Sequence, residues 1–269
     1  MDWDNAYANI ANIPGGEEFP AVWLERSSGF RDGMATDRMR CNLSYGPHPR
    51  EVMDVFLPEG VSGGVAVFVH GGYWLKFDQS VFSHLAEGAL GNGWTVVMPG
   101  YPLAPEVRVS SITQSIARAV TRVAEDFDGP IRLAGHSAGG HLVTRQICAD
   151  SSLAAAVTER IAGIFSISGV HDLRPMLKLA MNAELQLDMA EATRESPALH
   201  APLESFDVHA WVGDDERPEF VRQTTLLANI WSGFDMRMRQ TIESDRHHLD
   251  VISGLDAPHS GITKALLGL

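Results

Sequence analysis

Four short runs that are apolar at nearly every position constrain this chain most: "VAVFV" (65–69), "WTVVM" (94–98), "IRLAG" (131–135) and "IAGIFSIS" (161–168). A strand with no polar alternation has no face to offer water, so it must lie inside a sheet covered on both sides, the usual setting of parallel strands. The segments between them carry apolar residues at helical spacing: "SVFSHLAEGAL" after the first run, "SSITQSIARAVTRVAEDF" after the second and "AGGHLVTRQICAD" after the third. Strand and helix therefore alternate, and the connections are expected to be right-handed crossovers.

The flanks extend the same pattern. "RMRCNLSY" and "REVMDVFLP", separated by "GPHP", alternate apolar and polar residues and predict an antiparallel hairpin with one exposed face. "VHAWVGDD" and "FDMRMRQTI" add two strands around the helix "PEFVRQTTLLANIWS", and "SGITKALLGL" closes with another helix. The whole reads as an α/β chain with a mostly parallel twisted sheet of about eight strands and helices on both faces. Residues 1–35, with Pro14, Gly15, Gly16 and Pro20, are expected to form an irregular arm holding one short amphipathic piece near "FPAVWLERSSGF". Residues 172–206 break the alternation with helix formers and no strand, the length and place of a small helical cap over the strand ends. With 269 residues and 45% hydrophobic content, one domain spanning 1–269 is expected.

Charge and cysteine content exclude several function classes. The 34 acidic residues outnumber 21 basic ones, and a formal charge of −13 repels nucleic acid and anionic membrane surfaces. Cys41 and Cys148 lack any ligand or disulfide spacing and are expected to be reduced. No basic-apolar leader and no apolar run of spanning length is present, so the expected location is cytoplasmic.

"LAGHSAGGH" places Ser137 between Gly135 and Gly139, just after a buried strand and just before a helix. That is the context of a nucleophile elbow, in which small residues permit a tight turn that lifts the hydroxyl above the sheet and aims the next N–H, from Ala138, at the site. A serine needs a base, and the base needs an orienting carboxylate, in the order Ser, acid, His for such a sheet. The loop "ESDRHHLDVI" supplies His247 and His248 after the last strand; "WVGDDERPEF" supplies Asp214, Asp215 and Glu216. Helix-capping is the commoner role for such carboxylates, and two of the three are expected to have it. "HGGYW" (70–74) ends the first apolar run, where an acyl-transfer site needs backbone N–H donors; Gly71 and Gly72 let that backbone turn toward Ser137, with His70 bracing the loop.

At these residues the chain resembles the α/β-hydrolase superfamily and, within it, the kynurenine formamidase (arylformamidase) group. "SYGPHPREVMDVFLP", "FVHGGYW", "GYPLAPEV", "LAGHSAGGHL", "ISGVHDLRPM", "ERPEFVRQ" and "HHLDVI" follow the order of that group over roughly residues 40 to 255. The resemblance implies Glu216 as the acid, standing where the group has aspartate, and His248 as the base. It implies an N-formylkynurenine-type substrate, with no cofactor and no metal. The mechanism then assigns the oxyanion to the N–H groups of Gly72, Tyr73 and Ala138, and offers Tyr73 and Trp74 as walls for the substrate ring. The partner is a small molecule; a homodimer is compatible with the sequence. A broad carboxylesterase is the alternative, and a non-catalytic binding protein of the same fold the more distant one.

Overall fold

The computed structural model describes residues 2–269. Its strands are β1 (Met39–Ser44), β2 (Val52–Phe56), β3 (Val65–Val69), β4 (Thr95–Pro99), β5 (Ile131–His136), β6 (Ile161–Ile167), β7 (Asp207–Gly213) and β8 (Arg237–Glu243). They form one eight-stranded sheet in the order β1-β2-β4-β3-β5-β6-β7-β8. β1 and β4 pair antiparallel with β2, and every other neighbour is parallel. Register aligns the carboxyl ends: Val69 lies beside Gly135, His136 beside Ile167, Ile167 beside Trp211 and Gly213 beside Glu243. The loops after these five strands thus open along one edge of the sheet, the edge on which ligands bind in folds of this type.

The helices are α1 (Trp3–Tyr7), α2 (Phe19–Gly33), α3 (Glu87–Gly91), α4 (Val109–Asp126), α5 (Ala138–Arg145), α6 (Ala155–Thr158), α7 (Asn182–Leu185), α8 (Met189–Arg194), α9 (Pro218–Trp231) and α10 (Gly261–Leu267). The two-residue period of the strands splits the core into two layers. Val65, Val67 and Val69 pack with Ile112 and Ile116 of α4, Leu142 of α5 and Leu227 of α9. Ala66 and Phe68 point the other way, into a cluster with Trp23 of α2, Phe82, and Ile262 and Leu266 of α10. Both faces of β3 are dry, as its unbroken apolar run requires.

Three local expectations need correction. Residues 80–90 are not one α-helix: a 3-10 stretch, Gln79–Ala86, precedes α3. Side chains of α2 divert its backbone groups, since Ser27 Oγ donates to Val81 O and Arg31 donates to Ser80 O, carbonyls that an α-helix would use itself. The hairpin differs strand by strand and not face by face: β1 is mostly exposed at the sheet edge, while β2, flanked by β1 and β4, is buried from Met53 to Phe56. The segment expected to be an irregular arm is largely helical, with α1, 3-10 turns at Ile10–Asn12 and Gly16–Glu18, and the 15-residue α2. Residues 172–206 hold only short helical pieces and lie between β6 and β7.

Candidate active site

Ser137 stands between β5 and α5 at φ 56° and ψ −117°, a conformation that L-residues seldom adopt. Its N–H donates to Ile167 O at 2.8 Å, tying the turn to β6. The turn is possible because Gly135 and Gly139 lack side chains. A Cβ on Gly139 would collide with the Val69 carbonyl, and one on Gly135 with the Gly139 carbonyl. Ala138 opens α5, so its N–H belongs to the unsatisfied first turn of the helix.

The turn after β3 is equally constrained. Gly72, Tyr73 and Trp74 take φ values of 113°, 54° and 59° in succession, and Leu75 and Lys76 both donate to Gly72 O at 3.0 Å. A Cβ on Gly71 would come within 2.9 Å of Ser137 Cβ, so the two turns touch. Among the described residues, the N–H groups of Gly72, Tyr73 and Ala138 have no partner within the chain. His70 is sandwiched between Tyr101, at 4.3 Å between ring centroids, and Phe82, at 5.7 Å. Its Nδ1 donates to Gly71 O at 2.7 Å, and burial pushes its pKa down to about 4, so it is a neutral brace for the loop.

Of the three acidic residues after β7, Glu216 is the one that reaches a histidine. His248 Nδ1 donates to Glu216 Oε2 at 2.5 Å, and both residues are buried. The other oxygen, Oε1, accepts from the Gly213 N–H at 3.0 Å and from the Ser168 hydroxyl. Asp214 and Asp215 are exposed; the Asp214 carboxylate accepts from Asp245 N at 2.8 Å. His247 turns away from the site, its Nδ1 near the Leu249 and Asp250 N–H groups and its ring 5.3 Å from that of Phe19. The His248 ring lies against Phe220 at 4.3 Å, and His248 O accepts from His136 Nε2 at 2.9 Å. Burial, with the His248 ring alongside, holds His136 well below the usual histidine range, so it serves as a neutral donor.

Ser137 and His248 line one cavity of about 450 Å³ together with Gly72 and Tyr73. Among the described residues the side chains of Ser137 and His248 are not hydrogen-bonded to each other, and His248 bonds through Nδ1 to Glu216. The opposite wall comes from Tyr7, Ile10, Pro20 and Trp23 of the N-terminal segment and from Met181 and Glu184 of the 172–206 insertion. Tyr73 borders the cavity, and its hydroxyl donates to Tyr7 O at 2.5 Å. Trp74 does not: it is wholly buried in the core, edge-on to His141 at 5.1 Å, which corrects its expected place as a wall for substrate. Both residues have left-handed backbone, yet Tyr73 lines the cavity while Trp74 lies in the core. Among the described residues no group of three or more His, Cys, Asp or Glu is arranged to hold a metal ion, and no helix is long and apolar enough to cross a membrane.

Sequence reasoning missed Ser168, His136 and the place of the N-terminal segment as a wall of the cavity. Ser168 had a signal of the same kind as Ser137, a hydroxyl placed directly at the end of an apolar strand. The amphipathic piece near "FPAVWLERSSGF" marked part of the wall as structured, but no spacing told which element it would face.

A family model described as alpha/beta hydrolase fold matches residues 66–213. Kynurenine formamidase of Danio rerio is 28% identical over 249 residues, covering 89% of this chain and 85% of that protein. Kynurenine formamidase of Salmo salar is 31% identical over 192 residues, 68% of this chain and 65% of that protein. Among solved structures, a protein of Silicibacter sp. TM1040 provisionally assigned as a thioesterase superposes with a TM-score of 0.94 at 45% identity, covering 99% of both chains. The sheet order, the elbow turn and these matches agree: the chain belongs to the α/β-hydrolase family and is kynurenine formamidase-like.

Proposed function

We propose that this hydrolase removes a formyl or other small acyl group from an arylamine of the N-formylkynurenine type through a covalent acyl-enzyme on Ser137. The observation that carries the reading is the convergence, on one cavity, of an elbow serine, a His–Glu pair and three unpaired backbone N–H groups. In this mechanism His248 takes the Ser137 proton as the hydroxyl attacks the acyl carbon. The charge that develops on the carbonyl oxygen is met by the N–H groups of Gly72, Tyr73 and Ala138, fixed before the reaction begins. His248 then gives its proton to the leaving amine. A water molecule, deprotonated by the same imidazole, attacks the acyl-serine and releases the acid. Glu216 holds the ring in the tautomer whose Nε2 can accept, and offsets the imidazolium charge.

The formamide preference rests on the two formamidase relatives. A second reading, ester or thioester cleavage by the same groups, is favoured by the 45% identical protein assigned as a thioesterase. Turnover of N-formylkynurenine measured against short p-nitrophenyl esters and acyl thioesters separates the two. A kcat/KM for the formamide at least tenfold above both supports the first reading, and the reverse ratio replaces it with the second. Failure of a serine-directed phosphonate to label Ser137 would sink both.

A further inference from the structure

Glu216 presents two oxygens, and only Oε2 faces His248. Oε1 is taken up by two donors, the Gly213 N–H and the Ser168 hydroxyl, one from the end of β7 and the other from the residue that follows β6. Ser168 is completely buried at φ 52°, and its N–H donates to Trp211 O at 2.7 Å, so the residue is clamped against β7 with its side chain under the acid. In that left-handed region glycine is the least strained residue. The chain nevertheless carries a serine there, and the hydroxyl makes its hydrogen bond to the Glu216 carboxylate.

We propose that Ser168 is a positioning residue for the acid, a role that rests on the serine mechanism above. Glutamate has one more rotatable bond than aspartate, so a carboxylate reaching His248 from position 216 can swing out of the plane in which Oε2 accepts the Nδ1 proton. Two donors on Oε1, approaching from two different strands, remove that freedom. The backbone donor alone leaves rotation about the Gly213 contact; the hydroxyl supplies the second point that fixes a plane. Ser168 acts through Glu216 and touches neither the cavity nor the reacting atoms.

The test uses the full chain and the variants Ser168→Gly and Ser168→Ala. Glycine removes the hydroxyl while favouring the backbone conformation, so stability should be kept; alanine removes the same hydroxyl with the Cβ retained and gives an independent reading. Both should lower kcat about tenfold to a hundredfold, the range for losing a hydrogen bond to a charged group, with KM within about twofold. The deciding measurement is a double-mutant cycle. In a Glu216→Gln background, Ser168→Gly should cost less than about twofold more, because its route to the chemistry is already cut. Losses that multiply, or a single Ser168→Gly variant whose kcat stays within about twofold of the parent, would overturn the assignment. Ser137→Ala separates the two failures. If it retains activity, the serine mechanism itself is wrong; if it is inactive while Ser168→Gly is unimpaired, only the role of Ser168 is.

Discussion

The floor and the roof of the cavity are made in opposite ways. The floor, Ser137, the 71–73 turn and the His248–Glu216 pair, stands on strand ends whose register is fixed by the sheet. The roof, Tyr7, Ile10, Pro20 and Trp23, belongs to helical pieces that pack against the finished sheet from outside it. Gly72, Tyr73 and Ser137 of the floor sit at backbone angles that only certain sequences tolerate; roof residues need only bulk and a few tethers. Chemistry that depends on atomic placement leaves a signature in sequence, and a wall that depends on shape does not.

The largest effect should come from the floor. Ser137→Ala is expected to lower kcat/KM by at least roughly a thousandfold with an unchanged melting temperature, since the nucleophile goes and an elbow hydroxyl supports little packing. Steady-state kinetics and a thermal melt check it, and activity within about tenfold of the parent would remove Ser137 from the chemistry. Glu216→Gln follows, with a loss on the order of a thousandfold in kcat, because an amide no longer selects the tautomer that accepts the serine proton.

Acid should attack the support beneath the floor next. Burial pushes His70 down to about 4 and His141 down to about 3, so both stay neutral in the fold while the unfolded chain takes up protons below about pH 6.5. The folded pKa values are depressed, so the associated stability is intact above pH 6.5 and is lost as pH falls toward 4. Each such group changes the folding equilibrium about tenfold per pH unit across that window. Denaturant melts between pH 7 and pH 4.5 measure the slope, and replacing His141 with Gln should flatten it.

The roof should answer differently. Tyr7 donates to Glu219 Oε2 at 2.9 Å and accepts from Gln223 Nε2 at 3.0 Å, with burial raising its phenol pKa so that it stays protonated. Tyr7→Phe leaves both partners buried without it, and should raise KM about tenfold while kcat stays within about threefold. A fall in kcat with KM unchanged would erase the distinction between roof and floor. The smallest effect is expected at Asp214→Asn, within about twofold in both constants, because an exposed carboxylate at a turn loses at most about 1 kcal/mol.

The same division explains what the sequence disclosed. The apolar runs reported the buried strands because water leaves no other place for them, and Gly135 and Gly139 reported the elbow because larger residues collide there. Glu216 could not be told from Asp214 and Asp215 by residue type. The selection is made by the backbone, where Asp214 N and Asp215 N bond to Glu243 O and Arg246 O and so extend the β7–β8 pairing, leaving the third acid to turn inward. Trp74 was misplaced because consecutive left-handed residues, and not the motif, decide where its ring points. α2 was legible only as one short amphipathic piece, because only Trp23 and Ser27 are buried along its length and so narrow a face gives no hint of the full 15 residues. The short α1 is held by distant partners instead, Asp4 by Ala180 N and Asn5 by Arg217.

Those tethers have a consequence in time. Tyr7 is separated from Glu219 by 212 residues, and Asn5 from Arg217 by the same number. At roughly 5–20 residues per second, a ribosome takes roughly 10 to 40 s to deliver the partners after the segment that needs them. Through that interval Trp23 can already meet Phe77 and Phe82, but Asn5 and Tyr7 lack their partners and the sheet still lacks β8. The segment made early is therefore the one that must wait. A chaperone that binds short apolar stretches should find its first foothold on the nascent chain here, and release from it should coincide with the completion of the His248–Glu216 pair.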